Sequence, residues 1–150
     1  MVKSLRKRFV LVFFVATALV LYIGVVRAMQ PKEIIPWWNN YAFAQTESRQ
    51  TGKPLFLYFT ASWCGPCQSL KSTTWADREV AAELSPYIPV KLDVDDPANA
   101  DLVKEYHADT EGIPLFVVFD SKGNVVRAMV GAMPPKMFVG WMKGEPIQEF

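Results

Sequence analysis

The sequence predicts an α/β domain on a mixed central sheet, with two parallel strands, a C-terminal antiparallel hairpin and helices on both faces. One apolar N-terminal helix precedes it. Three observations predict this class. Segments of strand and helix character alternate as helix–strand–helix–strand–helix–strand–strand–helix, and the βαβ part requires parallel strands. Leu55 to Thr60 is a continuous apolar run, as in a strand covered on both faces. The last two strands flank Asp120-Ser121-Lys122-Gly123-Asn124, a hairpin turn by composition. At 150 residues, 51% of them apolar, the chain suits one domain with a core, and it shows no repeats.

From Phe9 to Val26 no residue is charged, a proline or an amide. About 20 residues span a bilayer, with roughly 17 the lower end, whereas the apolar part of a secretory signal runs about 7–15. Residues 9–26 are therefore expected to be an uncleaved transmembrane signal anchor. Val26-Arg27-Ala28 has the spacing of a cleavage site, so the alternative is a periplasmic protein after signal removal. Lys3, Arg6, Lys7 and Arg8 precede the run and only Arg27 follows closely. This bias makes residues 1–8 a cytoplasmic basic segment of a single-pass inner-membrane protein, its C-terminal domain periplasmic or otherwise extracytoplasmic.

Residues 27–36, with Pro31 and Pro36, are expected to be an extended linker, and 37–150 the folded domain. A helix is expected from Trp37 to Thr51, stopped by Gly52-Lys53-Pro54. Trp37 and Trp38 suit either a membrane interface or packing on the domain. Residues 65–84 read as helix, interrupted near Thr73 to Asp77. Ile88 to Val94 reads as strand, Ala98 to Tyr106 as helix, and Leu115 to Phe119 and Val125 to Val130 as the hairpin strands. Pro134 and Pro135 open a last helix ending near Lys143.

The net charge of +1 hides an uneven distribution. Residues 1–27 hold five bases and no acid, leaving eleven bases against fifteen acids in the remainder. A mildly acidic folded part excludes nucleic-acid binding, which calls for a basic stripe.

The chain's two cysteines stand in Trp63-Cys64-Gly65-Pro66-Cys67, between the first strand and a helix. A bridge closing so small a loop adds little as a staple, which favours chemistry over stabilisation. Cys64 is expected at the helix N-cap, partly exposed, where the dipole and free N–H groups favour thiolate. It would attack a substrate disulfide, and Cys67, one turn on, would resolve the mixed disulfide. Gly65 permits close approach of a partner, and Pro66 fits the first helical turn. A zinc site lacks ligands: there is no second pair, and His107, the single histidine, reads as a surface or helix-capping residue. Copper(I) binding stays open as a rival. Asp93, Asp95, Asp96 and Asp101 are explained by a turn and a helix N-terminus before calcium. No metal or prosthetic group is needed, since the dithiol is itself the redox group.

Trp-Cys-Gly-Pro-Cys after Leu-Phe-Leu-Tyr-Phe-Thr-Ala-Ser resembles the thioredoxin superfamily over roughly residues 37–143. The resemblance implies a cis proline at Pro114 in Gly112-Ile113-Pro114, lying against the disulfide. It implies a groove of Trp63, Ile113, Pro114 and Gly131, and a lysine, Lys91, beneath the active site. Thr74-Trp75-Ala76-Asp77-Arg78-Glu79-Val80 and Gly52-Lys53-Pro54 are similar to the C-terminal thioredoxin-like domain of transmembrane thiol–disulfide interchange reductases. That implies protein disulfide substrates, a membrane electron-donor or acceptor partner, and the reducing direction. An oxidase or isomerase, or a non-catalytic chaperone, are the alternatives. One position departs from the family. Tyr58 stands where a buried aspartate commonly serves the second cysteine, and a phenol of ordinary pKa near 10 is a poor base.

Overall fold

The computed structural model describes residues 2–29 and 31–146; the side chains of residues 2–7, 9–11 and 27 lie outside that description. Two compact units divide the chain, Met1–Pro31 and Lys32–Phe150. The first is a helix, α1, over Val2–Ala28, with every side chain from Val12 to Val26 exposed. Among the described residues no helix is long and apolar enough to cross a membrane. The expected span over 9–26 includes residues 9–11, whose side chains are outside the described ones, as are most of the flanking bases.

The second unit begins before the expected domain start. Glu33 to Pro36, expected as linker, lies on the domain: Ile35 is buried, and the Ile34 N–H donates to the Trp75 carbonyl at 2.8 Å. Trp38 then pairs with Val90 in a parallel bridge, its N–H donating to Pro89 and its carbonyl accepting from Lys91. This extended pairing corrects the expected helix start at Trp37. Helix α2 spans Tyr41–Thr51 and begins where Asn40 Oδ1 caps the Phe43 N–H. It ends at Gly52, whose φ of 70° closes the last turn in the left-handed region.

Strand β1 (Leu55–Thr60) is buried at all six positions, as its unbroken apolar run requires. After it come α3 (Gly65–Ser72), a 3₁₀ turn (Thr74–Ala76), α4 (Arg78–Leu84) and β2 (Ile88–Asp93). A second 3₁₀ turn (Pro97–Asn99) leads into α5 (Ala100–Glu105), so the helix expected from Ala98 is divided. Then follow β3 (Leu115–Phe119), β4 (Val125–Val130) and α6 (Pro135–Lys143). The sheet order is β2-β1-β3-β4, with β1 and β2 parallel, β1 and β3 antiparallel, and β3 and β4 the hairpin. Asp120 fixes the hairpin turn by accepting from the Lys122 and Asn124 N–H groups.

Alternate residues of β1 divide the core. Leu57 and Phe59 face Ala44 of α2 and Val103 of α5. Phe56 and Tyr58 face the other way, towards Leu70 of α3, Val80 of α4 and Phe138 of α6. The cysteines belong to this second, aromatic-rich face.

Candidate active site

The site forms where β1 runs out and α3 begins. Cys64 occupies the N-cap with extended backbone (φ −75°, ψ 101°), and its Sγ accepts the Cys67 N–H at 3.2 Å. Sulfur thus takes the place a serine or aspartate oxygen holds in an ordinary cap, beside the positive end of the helix dipole. Pro66 sits in the first turn, where its missing N–H leaves no bond unmade. Cys64 and Cys67 are joined by a disulfide, with Cα atoms 5.2 Å apart.

Cys67 is 0% exposed and Cys64 4%. The first cysteine is therefore more covered than its N-cap position alone suggested. Its open side is bounded by Ile113, whose carbonyl oxygen lies 3.7 Å from Cys64 Sγ. The Ile113–Pro114 bond is cis. Gly131, at φ 111°, donates its N–H to the Pro114 carbonyl at 2.8 Å, and a Cβ there would meet nothing within 4 Å. Gly65 and Pro66 are exposed at the rim. Trp63 stands on the surface next to Cys64, 67% exposed. Its indole N–H donates to Asp95 Oδ2 at 2.7 Å, a partner that no local sequence signal announced.

Tyr58 lies under Cys67, and its hydroxyl donates to the Cys67 carbonyl at 3.4 Å. Its ring packs on Trp37, Trp75 and Phe116, with centroids 5.1 to 5.6 Å away. Burial pushes the phenol above its ordinary 10.0, opposed by the neighbouring Thr60 and Trp75 side chains and reinforced by the negative charge of Glu33. Tyr58 is thus a neutral donor at physiological pH, not a base.

Lys91 is the β2 register partner of Tyr58. Its Nζ donates to both Glu33 carboxylate oxygens at 2.8 and 2.9 Å and stands 5.6 Å from the Trp37 ring. Glu33 also accepts from the Trp37 indole N–H. Glu33 and Trp37 were missed as neighbours of the site because they fall in and beside the expected linker. Trp37 packs on the core. His107 is exposed, in the turn just past α5, its N–H donating to the Lys104 carbonyl. Asp93 and Asp96 accept from the Asp95 and Ala98 N–H groups, which explains that acidic cluster as turn caps.

The phenol's raised pKa gives a pH signature. The unfolded tyrosine ionises near pH 10, below the folded one, so the contribution is fully present below that pH and is lost as pH rises towards the folded value. Tyr58→Phe is expected to cost about 1 kcal/mol at pH 7 for the lost hydrogen bond, and less above pH 10. Denaturant midpoints at both pH values check this; a cost that grows with pH contradicts it.

A capped sulfur bonded to a buried partner one turn on, beside a cis proline, defines a thioredoxin-like thiol–disulfide oxidoreductase. The chain belongs to the thioredoxin-like domain family, whose model matches residues 42–144. It is similar to the thiol:disulfide interchange protein DsbD of Campylobacter jejuni, 29% identical over 83 residues, covering 55% of this chain and 15% of that protein. The chain thus spans about 15% of the length of this first relative. Thioredoxin H7 of Arabidopsis thaliana is 32% identical over 110 residues, covering 66% of this chain and 79% of that one. Among solved structures, the oxidised C-terminal domain of Neisseria meningitidis DsbD superposes with a TM-score of 0.60 at 23% identity, covering 73% and 99% of the two chains. That likeness shows the fold.

Proposed function

We propose that this chain is a membrane-anchored thiol–disulfide reductase of the cell envelope, acting on disulfides of extracytoplasmic proteins. The observation that carries the chemistry is the Cys64 sulfur at the α3 N-cap, backed by wholly buried Cys67 and faced by the Ile113 carbonyl. In the reduced enzyme the Cys64 thiolate attacks a substrate disulfide, and one substrate sulfur departs as thiolate. Cys67, deprotonated, then attacks Cys64 Sγ, closing the enzyme disulfide and releasing the second substrate sulfur. Trp63, Ile113, Pro114 and Gly131 form the wall the substrate chain lies on. Similarity to an interchange protein and Gly-Pro between the cysteines support the reducing direction and a membrane electron donor that regenerates the dithiol.

The anchor is the 9–26 segment, residues 1–8 lie in the cytoplasm, and 27–36 lead to the domain at 37–150. Support comes from the uncharged run and from the exposed apolar side chains of Val12 to Val26. Retention of the full chain in carbonate-washed membranes is expected; its release would leave only the soluble periplasmic alternative.

Direction is decided by the equilibrium with glutathione. In a buffer poised near about −240 mV, a couple near the thioredoxin value of about −270 mV stays roughly 90% disulfide, at about 30 mV per tenfold. A strong oxidant near about −120 mV is wholly dithiol there. Alkylation and mass measurement read the ratio, and a predominantly dithiol protein overturns the reductase reading.

A further inference from the structure

Trp63 is a large apolar side chain left on the surface beside the nucleophile. So open a side chain is free to sample several rotamers unless a specific contact selects one. That contact is the bond from its indole N–H to Asp95 Oδ2, and 2.7 Å is the short range of bonds to an ionised acceptor. Asp95 lies just past the end of β2, so the bond ties the turn leaving β1 to the loop leaving β2. Asp95 is itself exposed, so the pair buries nothing and serves no core.

The loop that carries Asp95 is built to stay in place. The Val94 N–H donates at 2.9 Å to the carbonyl of Thr60, the last residue of β1. Asp93 Oδ1 accepts the Asp95 N–H at 3.0 Å, and the Asp93 carbonyl accepts from the buried Asn99 amide at 2.9 Å. Asp96 starts the 3₁₀ turn that follows by accepting the Ala98 N–H. The three aspartates thus divide the work. Asp93 and Asp96 bond their own turn, and Asp95 reaches across to Trp63.

We propose that Asp95 is a positioning residue for client binding, holding the Trp63 indole as a preset wall against which an extended client chain lies while its disulfide meets Cys64. Ordering a side chain only when a partner arrives costs affinity, and fixing it beforehand removes that cost. The effect falls on capture of a protein disulfide rather than on the sulfur chemistry. Asp95 bonds the indole, whereas the Cys64 sulfur has the Cys67 N–H and the Ile113 carbonyl beside it. This inference rests on the exchange chemistry and the groove proposed above.

The test compares two substrates on the full chain. Insulin, a disulfide-bonded protein, is reduced at steady state with dithiothreitol regenerating the dithiol. An uncharged dipyridyl disulfide, too small to lie along the wall, is mixed with the reduced chain. The first phase of thiopyridone release reports attack by Cys64, and the second phase reports resolution by Cys67. Asp95→Ala is expected to raise KM for insulin about fivefold with kcat within about twofold, the equivalent of about 1 kcal/mol for one side chain ordered on binding. Both phases with the dipyridyl disulfide are unchanged, which also shows that the variant is folded. Asp95→Asn keeps an acceptor oxygen without the charge and restores most of the KM. In a Trp63→Phe background, where there is no N–H to hold, Asp95→Ala adds no further loss. Parallel loss with both substrates, an Asp95→Asn as impaired as Asp95→Ala, or an additive loss in the Trp63→Phe background overturns the proposal. Absence of a first phase in the unmodified protein overturns the exchange reading itself.

Discussion

Replacing Cys64 by serine is expected to lower disulfide exchange by more than about a thousandfold, to the uncatalysed background, because no other nucleophile stands at the groove. Replacing Cys67 is expected to do something different. Cys67→Ser leaves the first attack within about threefold of the unmodified rate, since the N-cap position, dipole and exposed rim around Cys64 are untouched. The reaction then stops at the mixed disulfide, because no second sulfur closes the exchange. The asymmetry follows from burial and orientation. Cys64 Sγ is at the helix terminus beside the Ile113 carbonyl, whereas Cys67 packs among Tyr58, Leu70 and Trp75 with no exposed surface. A substrate disulfide reaches the first and not the second. Non-reducing gels and intact mass of proteins captured by each variant check the pair. Adducts formed by Cys64→Ser through Cys67, or full turnover by Cys67→Ser, contradict the assignment.

Much of this arrangement is legible in the sequence, and for local reasons. Asp120 to Asn124 contains its own hydrogen-bonding residue, so the hairpin and both its strand limits could be read from composition. Leu55 to Thr60 is apolar at every position because both faces are covered, and Cys-Gly-Pro-Cys carries its cap geometry within four residues. What was misread depends on distant partners. Trp37 to Asn40 has helical composition, yet Trp38 finds Pro89 and Lys91, and pairing with a strand edge outweighs a modest helical preference. Glu33 to Pro36 looks like a linker between prolines, but Ile35 has a buried place to fill and Ile34 has the Trp75 carbonyl to bond. Trp63 has the Asp95 carboxylate to bond, and that pairing spans 32 positions of sequence. Tyr58 was recognisable as a departure, but not as a donor to the very residue it fails to deprotonate.

Trp75→Ala is expected to be the most destabilising single truncation in the domain, at about 3–5 kcal/mol. Trp75 is 0% exposed and stands among five aromatic rings: Trp37 and Phe138 at 5.2 Å, Tyr58 at 5.1 Å, Phe116 at 5.7 Å and Phe56 at 6.3 Å. Those rings come from the segment before α2, from β1, from β3 and from α6, so no single element can shift to fill the space an alanine leaves. Domains of this size are held by about 5–15 kcal/mol, which makes such a loss a large share of the total. Trp75→Phe separates packing from polarity. It keeps an aromatic ring among the same five neighbours and removes only the indole N–H and part of the ring volume. Its net cost is therefore expected to be well below that of alanine. Denaturant unfolding of both variants in the disulfide form measures the two losses with the cysteine chemistry held constant. A loss below about 1.5 kcal/mol for Trp75→Ala would mean that the aromatic face collapses into the cavity. Tyr58, which stands between Trp75 and the resolving cysteine, would then have to move with it, and the second phase of exchange would change in the same variant.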